Sequence, residues 1–263
     1  MVLAQSFQQR SDDLAEYRKR PAEIERVADL MRMLPQGLRS AIDIGARDGF
    51  LSRSLSQFVP TVTALDLERP DFVHPGVHCV QGDATALDFG TSSFDLVLCA
   101  EVLEHIPSPS LEMACKELAR VASKHVLIGV PYKQDIRDAK TTCYTCGGIN
   151  PPWGHVNVFD EKRLAALFPT LAIAAISHVG VAKPRTNALS SSLMTFAGNP
   201  YGTYIQDELC IHCSSKLTAP PGRTLSQKIA TKVAVRLKDA QAVVSKRRPN
   251  WIHILFSKDT ARA

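Results

Sequence analysis

Residues 40–66 (SAIDIGARDGFLSRSLSQFVPTVTALD) constrain what this chain can fold into more than any other stretch. An apolar strand over 41–44 runs into the tight turn Gly45, Ala46, Arg47, Asp48, Gly49. A helix over 50–58 follows, and a second apolar strand over 62–65 ends in Asp66. That is half of a parallel βαβ unit, with glycines in its first turn and a carboxylate about 20 positions on. The helix N-terminus offers backbone N–H groups to a ligand, and the carboxylate can accept both hydroxyls of a ribose. A dinucleotide binder carries G-x-G-x-x-G, whose middle glycine lets the backbone reach a pyrophosphate. Arg47 stands where that glycine is expected. A nicotinamide-dependent oxidoreductase is disfavoured on that ground, and a nucleoside cofactor without pyrophosphate is less demanding.

The following residues extend the pattern. A short strand over 77–80 leads into Gly82, Asp83 and Ala84, placing a carboxylate at the C-terminal edge of a sheet, where ligands of open α/β folds bind. Phe94–Ala100 is almost wholly apolar, as a central parallel strand requires, and it runs into Glu101, Val102, Leu103, Glu104, His105. Upstream, residues 11–34 read as helix. Ser11 caps it, Asp12 and Asp13 lie in its first turn, and Pro21 divides it in two. Ile24, Val27, Leu30 and Leu34 recur at helical spacing and are expected to face the sheet. Downstream come a helix over 110–123 capped by Ser110, a strand over 124–130 ended by Pro131, a helix over 161–167, a strand over 171–181 and a last strand over 251–257.

The segment Asp43, Ile44, Gly45, Ala46, Arg47, Asp48, Gly49 resembles motif I of class I S-adenosylmethionine (SAM)-dependent methyltransferases, with its middle glycine replaced. The run GDATALDFGTSSFDLVLCAEVLEHIPSP resembles the central region of the small-molecule, type 11 branch of that family. The resemblance implies an α/β, Rossmann-like fold with a seven-stranded, mostly parallel sheet in the order 3-2-1-4-5-7-6 and helices on both faces. It implies a cofactor site built from Asp43, Gly45, Ala46, Gly49, Asp66, Leu67, Asp83, Ala84 and Glu101, with Asp83 directed at the adenine amino group. His105 and His155, the latter within Trp153, Gly154, His155, become the candidate catalytic bases. His74, His78, His125, His178 and His253 lack such context and read as structural or exposed.

Two segments, 131–160 and 182–250, exceed what such a domain needs, so the expectation is one methyltransferase domain over 1–263 with two insertions. Each insertion holds a C-x-x-C pair: Cys143 with Cys146, and Cys210 with Cys213. Four thiolates suit a closed tetrahedral structural Zn²⁺ site, which leaves no open position for catalysis. The separation is too long for a self-contained zinc finger, so the fold must bring the pairs together into an accessory or lid element. Seven cysteines, three of them single in apolar segments, fit metal chemistry in a reducing compartment better than a disulfide framework.

No apolar run reaches the roughly 18–20 residues that cross a bilayer, and the opening residues show no signal pattern; a cytoplasmic protein is expected. The net charge of +5 is mild and concentrated between Arg223 and Lys258. Residues 224–248 read as a basic helix with one packed apolar face formed by Leu225, Ile229, Val233, Leu237 and Val244. It offers peripheral contact with an anionic membrane or a phosphorylated lipid-linked substrate. It lacks the interleaved aromatics of a nucleic-acid groove. The expected activity is methyl transfer to a small-molecule, sugar or lipid-linked acceptor, as O-methylation. An RNA-base methyltransferase and an inactive SAM-fold scaffold are the alternatives. The oligomeric state is not legible.

Overall fold

The computed structural model describes residues 16–206 and 208–258. Ser11, Asp12 and Asp13, the expected cap, lie outside them. The chain divides into two compact units. One comprises 1–132, 160–180 and 250–263; the other comprises 133–159 and 181–249.

The first unit is an α/β sheet domain. Its strands are β1 (Ser40–Ile44), β2 (Thr61–Asp66), β3 (Val77–Gln81), β4 (Phe94–Ala100), β5 (Ala122–Pro131), β6 (Ala172–Val179) and β7 (Trp251–Ser257). Helices α1 (Pro21–Arg32), α2 (Phe50–Leu55), α3 (Ser110–Val121) and α4 (Glu161–Leu167) connect and cover them. The sheet order is β3-β2-β1-β4-β5-β7-β6. Six strands run in one direction, and β7 alone is reversed, antiparallel to both β5 and β6. The expected Rossmann-like methyltransferase order is therefore the observed one. β4 is buried along its whole length, as its unbroken apolar sequence requires. Leu30, Leu38, Leu55, Leu96, Leu98, Leu127 and Leu255 form the core between sheet and helices.

Two local expectations change. Ser110 is the first helical residue of α3 rather than its cap; Pro109 holds that place, without a side-chain cap bond. α1 starts at Pro21, where a missing N–H costs nothing; Leu30 is buried and Leu34 packs against the core as the apolar spacing predicts, but Ile24 does not follow and charged residues share the buried face. Ile24 is 56 % exposed, whereas Glu23, Arg26 and Asp29 are buried beside Leu30. These charges have partners. Arg26 forms a two-bond pair with Glu23, and Asp29 accepts from Ser177 Oγ at 2.8 Å and pairs with His253 Nδ1 at 2.6 Å. Asp29 thus ties α1 to β6 and β7 together, and burying it is tolerable because it is fully hydrogen-bonded.

The second unit holds a two-stranded ribbon (Thr141–Thr142 with Ile149–Asn150) and helices α5 (Ala188–Phe196) and α6 (Leu225–Val244), which pack on each other. Both helices start with a capping box, at Asn187 and at Thr224. In α6 the buried residues are Ala230, Thr231 and Ala234, not the expected apolar row. Leu225, Ile229, Val233 and Val244 are exposed. The small residues occupy a neighbouring i, i+4 row, where short side chains permit the closest approach to another helix. No helix among the described residues is long and apolar enough to cross a membrane.

Candidate functional site

In the sheet unit the register brings the C-terminal ends of four strands level. Ile44 pairs with Leu65 and with Cys99, and Asp66 pairs with Gln81. The candidate cofactor residues Gly45, Ala46, Gly49, Asp66, Leu67, Asp83, Ala84 and Glu101 accordingly lie just beyond or at those ends, at one sheet edge. Gly45 N–H and Ala46 N–H both donate to Leu65 O, at 2.8 and 3.0 Å, which locks the turn onto β2. Arg47 N–H donates to Asp66 Oδ2 at 2.8 Å and Leu67 N–H to Oδ1 at 2.7 Å. Each carboxylate oxygen keeps a second lone pair with which to accept a hydroxyl.

The turn needs its two glycines for reasons internal to the fold. Gly45 and Gly49 have φ of 78° and 74°, in the left-handed region. A Cβ on Gly45 would lie 2.3 Å from Val102 Cγ2, and one on Gly49 only 2.0 Å from the Phe72 ring. Arg47 also adopts a positive φ of 49°, held by its bond to Asp66. Val102 and Phe72 are thus parts of the loop's architecture that sequence spacing did not mark. Asp43 lies behind the loop. It is 1 % exposed and accepts from Ser52 Oγ at 2.6 Å, so it braces β1 against α2. Burial pushes its carboxyl up to about 7. Asp83 folds its Oδ1 back onto the N–H and hydroxyl of Thr85, both at 2.8 Å, an Asx turn that orients the G-D-A element.

Past β4, Glu101 takes a positive φ of 58° and accepts from Trp251 Nε1 at 3.3 Å with Oε2. Its Oε1, and both oxygens of Glu104, are buried with no partner among the described residues. Burial raises both carboxyls; the charge of Arg26 opposes the rise at Glu101, while that of Glu101 adds to it at Glu104. Three buried acceptor oxygens without partners follow β4, and a cationic group such as the amino or sulfonium centre of SAM would complement them. The residues present therefore fit that cofactor. His105 ends the single helical turn Leu103–His105; burial and the charge of Arg47 push its imidazole down to about 4.

The second unit contains His155 and the four cysteines. His155 is buried, with Nδ1 2.6 Å from Gln134 Oε1. Trp153, two residues earlier, has a left-handed φ of 57° held by bonds from its N–H to Thr203 Oγ1 and Gln206 Oε1. Trp153 is 43 % exposed.

The four cysteine Sγ atoms lie within 4.8 Å of one another, and Cys143–Cys213 and Cys146–Cys210 are each 3.7 Å apart. A disulfide needs about 2.05 Å. Tetrahedral Zn–S bonds of about 2.3 Å separate the sulfurs by about 3.8 Å, so the donor set fits zinc. The two loops repeat one design. Cys143 N–H donates to Gly148 O and Gly147 N–H to Cys143 O; Cys210 N–H donates to Ser215 O and Ser214 N–H to Cys210 O. The residue in the fifth position is left-handed in both, Gly147 at 76° and Ser214 at 57°. Backbone N–H groups of Cys146 and Thr145 aim at Cys143 and pull its thiol down to about 6, while the Ser215 hydroxyl and N–H lower Cys213. His212 turns its Nε2 to Ile149 O at 3.0 Å.

Comparison with known proteins agrees with this geometry. Residues 42–128 match the family model described as a methyltransferase domain. A ubiquinone biosynthesis O-methyltransferase of Xanthomonas axonopodis is 33 % identical over 118 residues, 40 % of this chain and 47 % of that protein. The chain thus spans about half the length of the curated relatives it matches. Two solved structures share the fold at low identity. The N-methyltransferase NodS of Bradyrhizobium japonicum matches with a TM-score of 0.53 at 13 % identity, over 92 % of this chain and 98 % of that one. The 1,6-didemethyltoxoflavin N1-methyltransferase of Burkholderia thailandensis, solved with S-adenosylhomocysteine, matches with a TM-score of 0.53 at 14 % identity, over 98 % and 87 %. The fold is thus similar to that of SAM-dependent methyltransferases, and the methyltransferase-domain match lies on residues 42–128, which carry the glycine turn, Asp66, Asp83 and Glu101.

Proposed function

We propose that the chain moves a methyl group from SAM to a small-molecule, sugar or lipid-linked acceptor, at oxygen. The observation that carries the cofactor half is the level sheet edge, where the Gly45–Gly49 turn, Asp66 and the orphan oxygens of Glu101 and Glu104 meet. Bound SAM would supply an already activated sulfonium methyl, so the protein's contribution is largely positioning. Asp66 would hold the ribose, and the Glu101 carboxylate the cationic end. O-methylation is favoured by the name of the Xanthomonas relative.

A hydroxyl acceptor needs a base. His155 suits that role, because a proton on Nδ1 shared with Gln134 sets the neutral tautomer with Nε2 basic. The four cysteines would hold one structural Zn²⁺, joining the two segments of the second unit. Helix α6 would rest on an anionic membrane surface. Its exposed row Leu225, Ile229, Val233 stands among exposed Lys228, Lys232 and Arg236, which suits an interfacial helix.

Isothermal titration with S-adenosylhomocysteine tests the core of this reading. Binding at about one site per chain is expected, lost on Gly49→Val, where a β-branched side chain would collide with Phe72. Folded wild-type protein that takes up no S-adenosylhomocysteine would overturn it.

A further inference from the structure

The second unit contains a cleft with no part in the foregoing chemistry. It is a small open cleft lined by Arg137, Asp138, Lys140, Thr186, Ser191 and Lys238. Three of these are cations, but two are committed. Arg137 forms a bidentate pair with Asp135, and its guanidinium also donates to Thr186 O; Lys238 pairs with Asp138. Lys140 is different. Its Nζ has a long bond of 3.5 Å to Ser191 Oγ and no carboxylate partner among the described residues.

Thr186 is the second unusual residue. It is 5 % exposed, and its Oγ1 has no hydrogen-bond partner among the described residues. A buried hydroxyl without a partner costs on the order of 1–3 kcal/mol, and a ligand oxygen would remove that cost. Thr186 immediately precedes Asn187, the cap of α5, so its hydroxyl lies at the positive end of that helix. An ammonium without a carboxylate partner, an unpartnered buried hydroxyl and a helix N-terminus meet in the lining of one cleft, while Ser191 Oγ accepts from Lys140 and donates to Arg137 O. The first three favour the same ligand chemistry, a compact anion with several acceptor oxygens.

We infer that this cleft is a phosphoryl-binding site, with Lys140 neutralising charge and Thr186 donating to the oxygens. The ligand is either free phosphate or the phosphate headgroup of a lipid. The site is independent of the methyl-transfer reading, since none of its residues belongs to the cofactor or base assignments.

The test is calorimetric titration of the full chain with inorganic phosphate and with dihexanoyl phosphatidic acid, on wild type, Lys140→Ala and Thr186→Val. Wild type should bind at one site, and each variant should weaken binding about tenfold or more, corresponding to roughly 1.4 kcal/mol. S-adenosylhomocysteine affinity should stay unchanged in both variants, which separates loss of the anion site from loss of the fold. Phosphatidic acid binding at least tenfold tighter assigns the ligand as a lipid headgroup; equal affinities assign free phosphate. Absence of binding of both compounds by wild type, or wild-type affinity in both variants, overturns the site.

Discussion

Cys143 Sγ and Cys213 Sγ stand 3.7 Å apart although 70 residues separate them in the chain. That distance matches the edge of a zinc–thiolate tetrahedron and is too long for a covalent bridge. Metal analysis of protein purified without chelator should therefore find about one zinc per chain. Cys143→Ser combined with Cys210→Ser should abolish it and lower the melting temperature, because metal binding is coupled to folding. A metal-free native protein of undiminished stability would refute the centre.

The Asp43–Ser52 bond gives a prediction about pH. Asp43 ionises near 4 in an unfolded chain and near 7 in the fold, because burial opposes its charge. Between those values the unfolded state holds fewer protons, so this group's contribution to stability falls as pH rises. Asp43→Asn should match wild type near pH 4 and exceed it at pH 8 by roughly 2–4 kcal/mol in urea unfolding. An unchanged difference across that range would show that Asp43 ionises normally.

His155→Ala should lower kcat by about 10²–10⁴-fold once an acceptor is in hand, with cofactor affinity unaltered. Full turnover in the variant would assign the base elsewhere, with His105 the next candidate. A screen of extract with labelled SAM would supply the acceptor.

The exposed apolar row of α6 predicts sedimentation with vesicles containing about 30 % phosphatidylserine and little with neutral ones, weakening as salt rises. Ile229→Asp with Val233→Asp should remove it. Vesicle binding that survives both changes would place the contact on another surface.

How much could be read beforehand depends on how local the signal was. β4, α4 and β7 match the expected bounds residue for residue, because continuous apolar runs and flanking breakers are encoded within the segments themselves. The glycine turn and its downstream carboxylate were legible for the same reason. Helix α1 was legible only in part: Leu30 and Leu34 pack on the core as spaced, but the burial of Asp29 follows from partners far along the chain, His253 and Ser177, and no local spacing reveals that a carboxylate will find an imidazole there. The exposed row of α6 misled in the same way: apolar periodicity marks a face, but Ala230 and Ala234 marked the packed one. Val102 and Phe72 escaped notice because the space that forbids a side chain on a glycine exists only after folding.

The position of β7 has a consequence for how the molecule is made. This strand lies between β5 and β6, yet it is synthesised after both and after the whole second unit. While the ribosome is still adding residues 181–249, the apolar β5 and the finished β6 each present an open edge with no neighbour. The nascent chain should therefore depend on chaperones until Trp251–Ser257 emerges. Damage to that one strand would expose two edges at once and send the protein toward aggregation rather than toward a merely weakened fold.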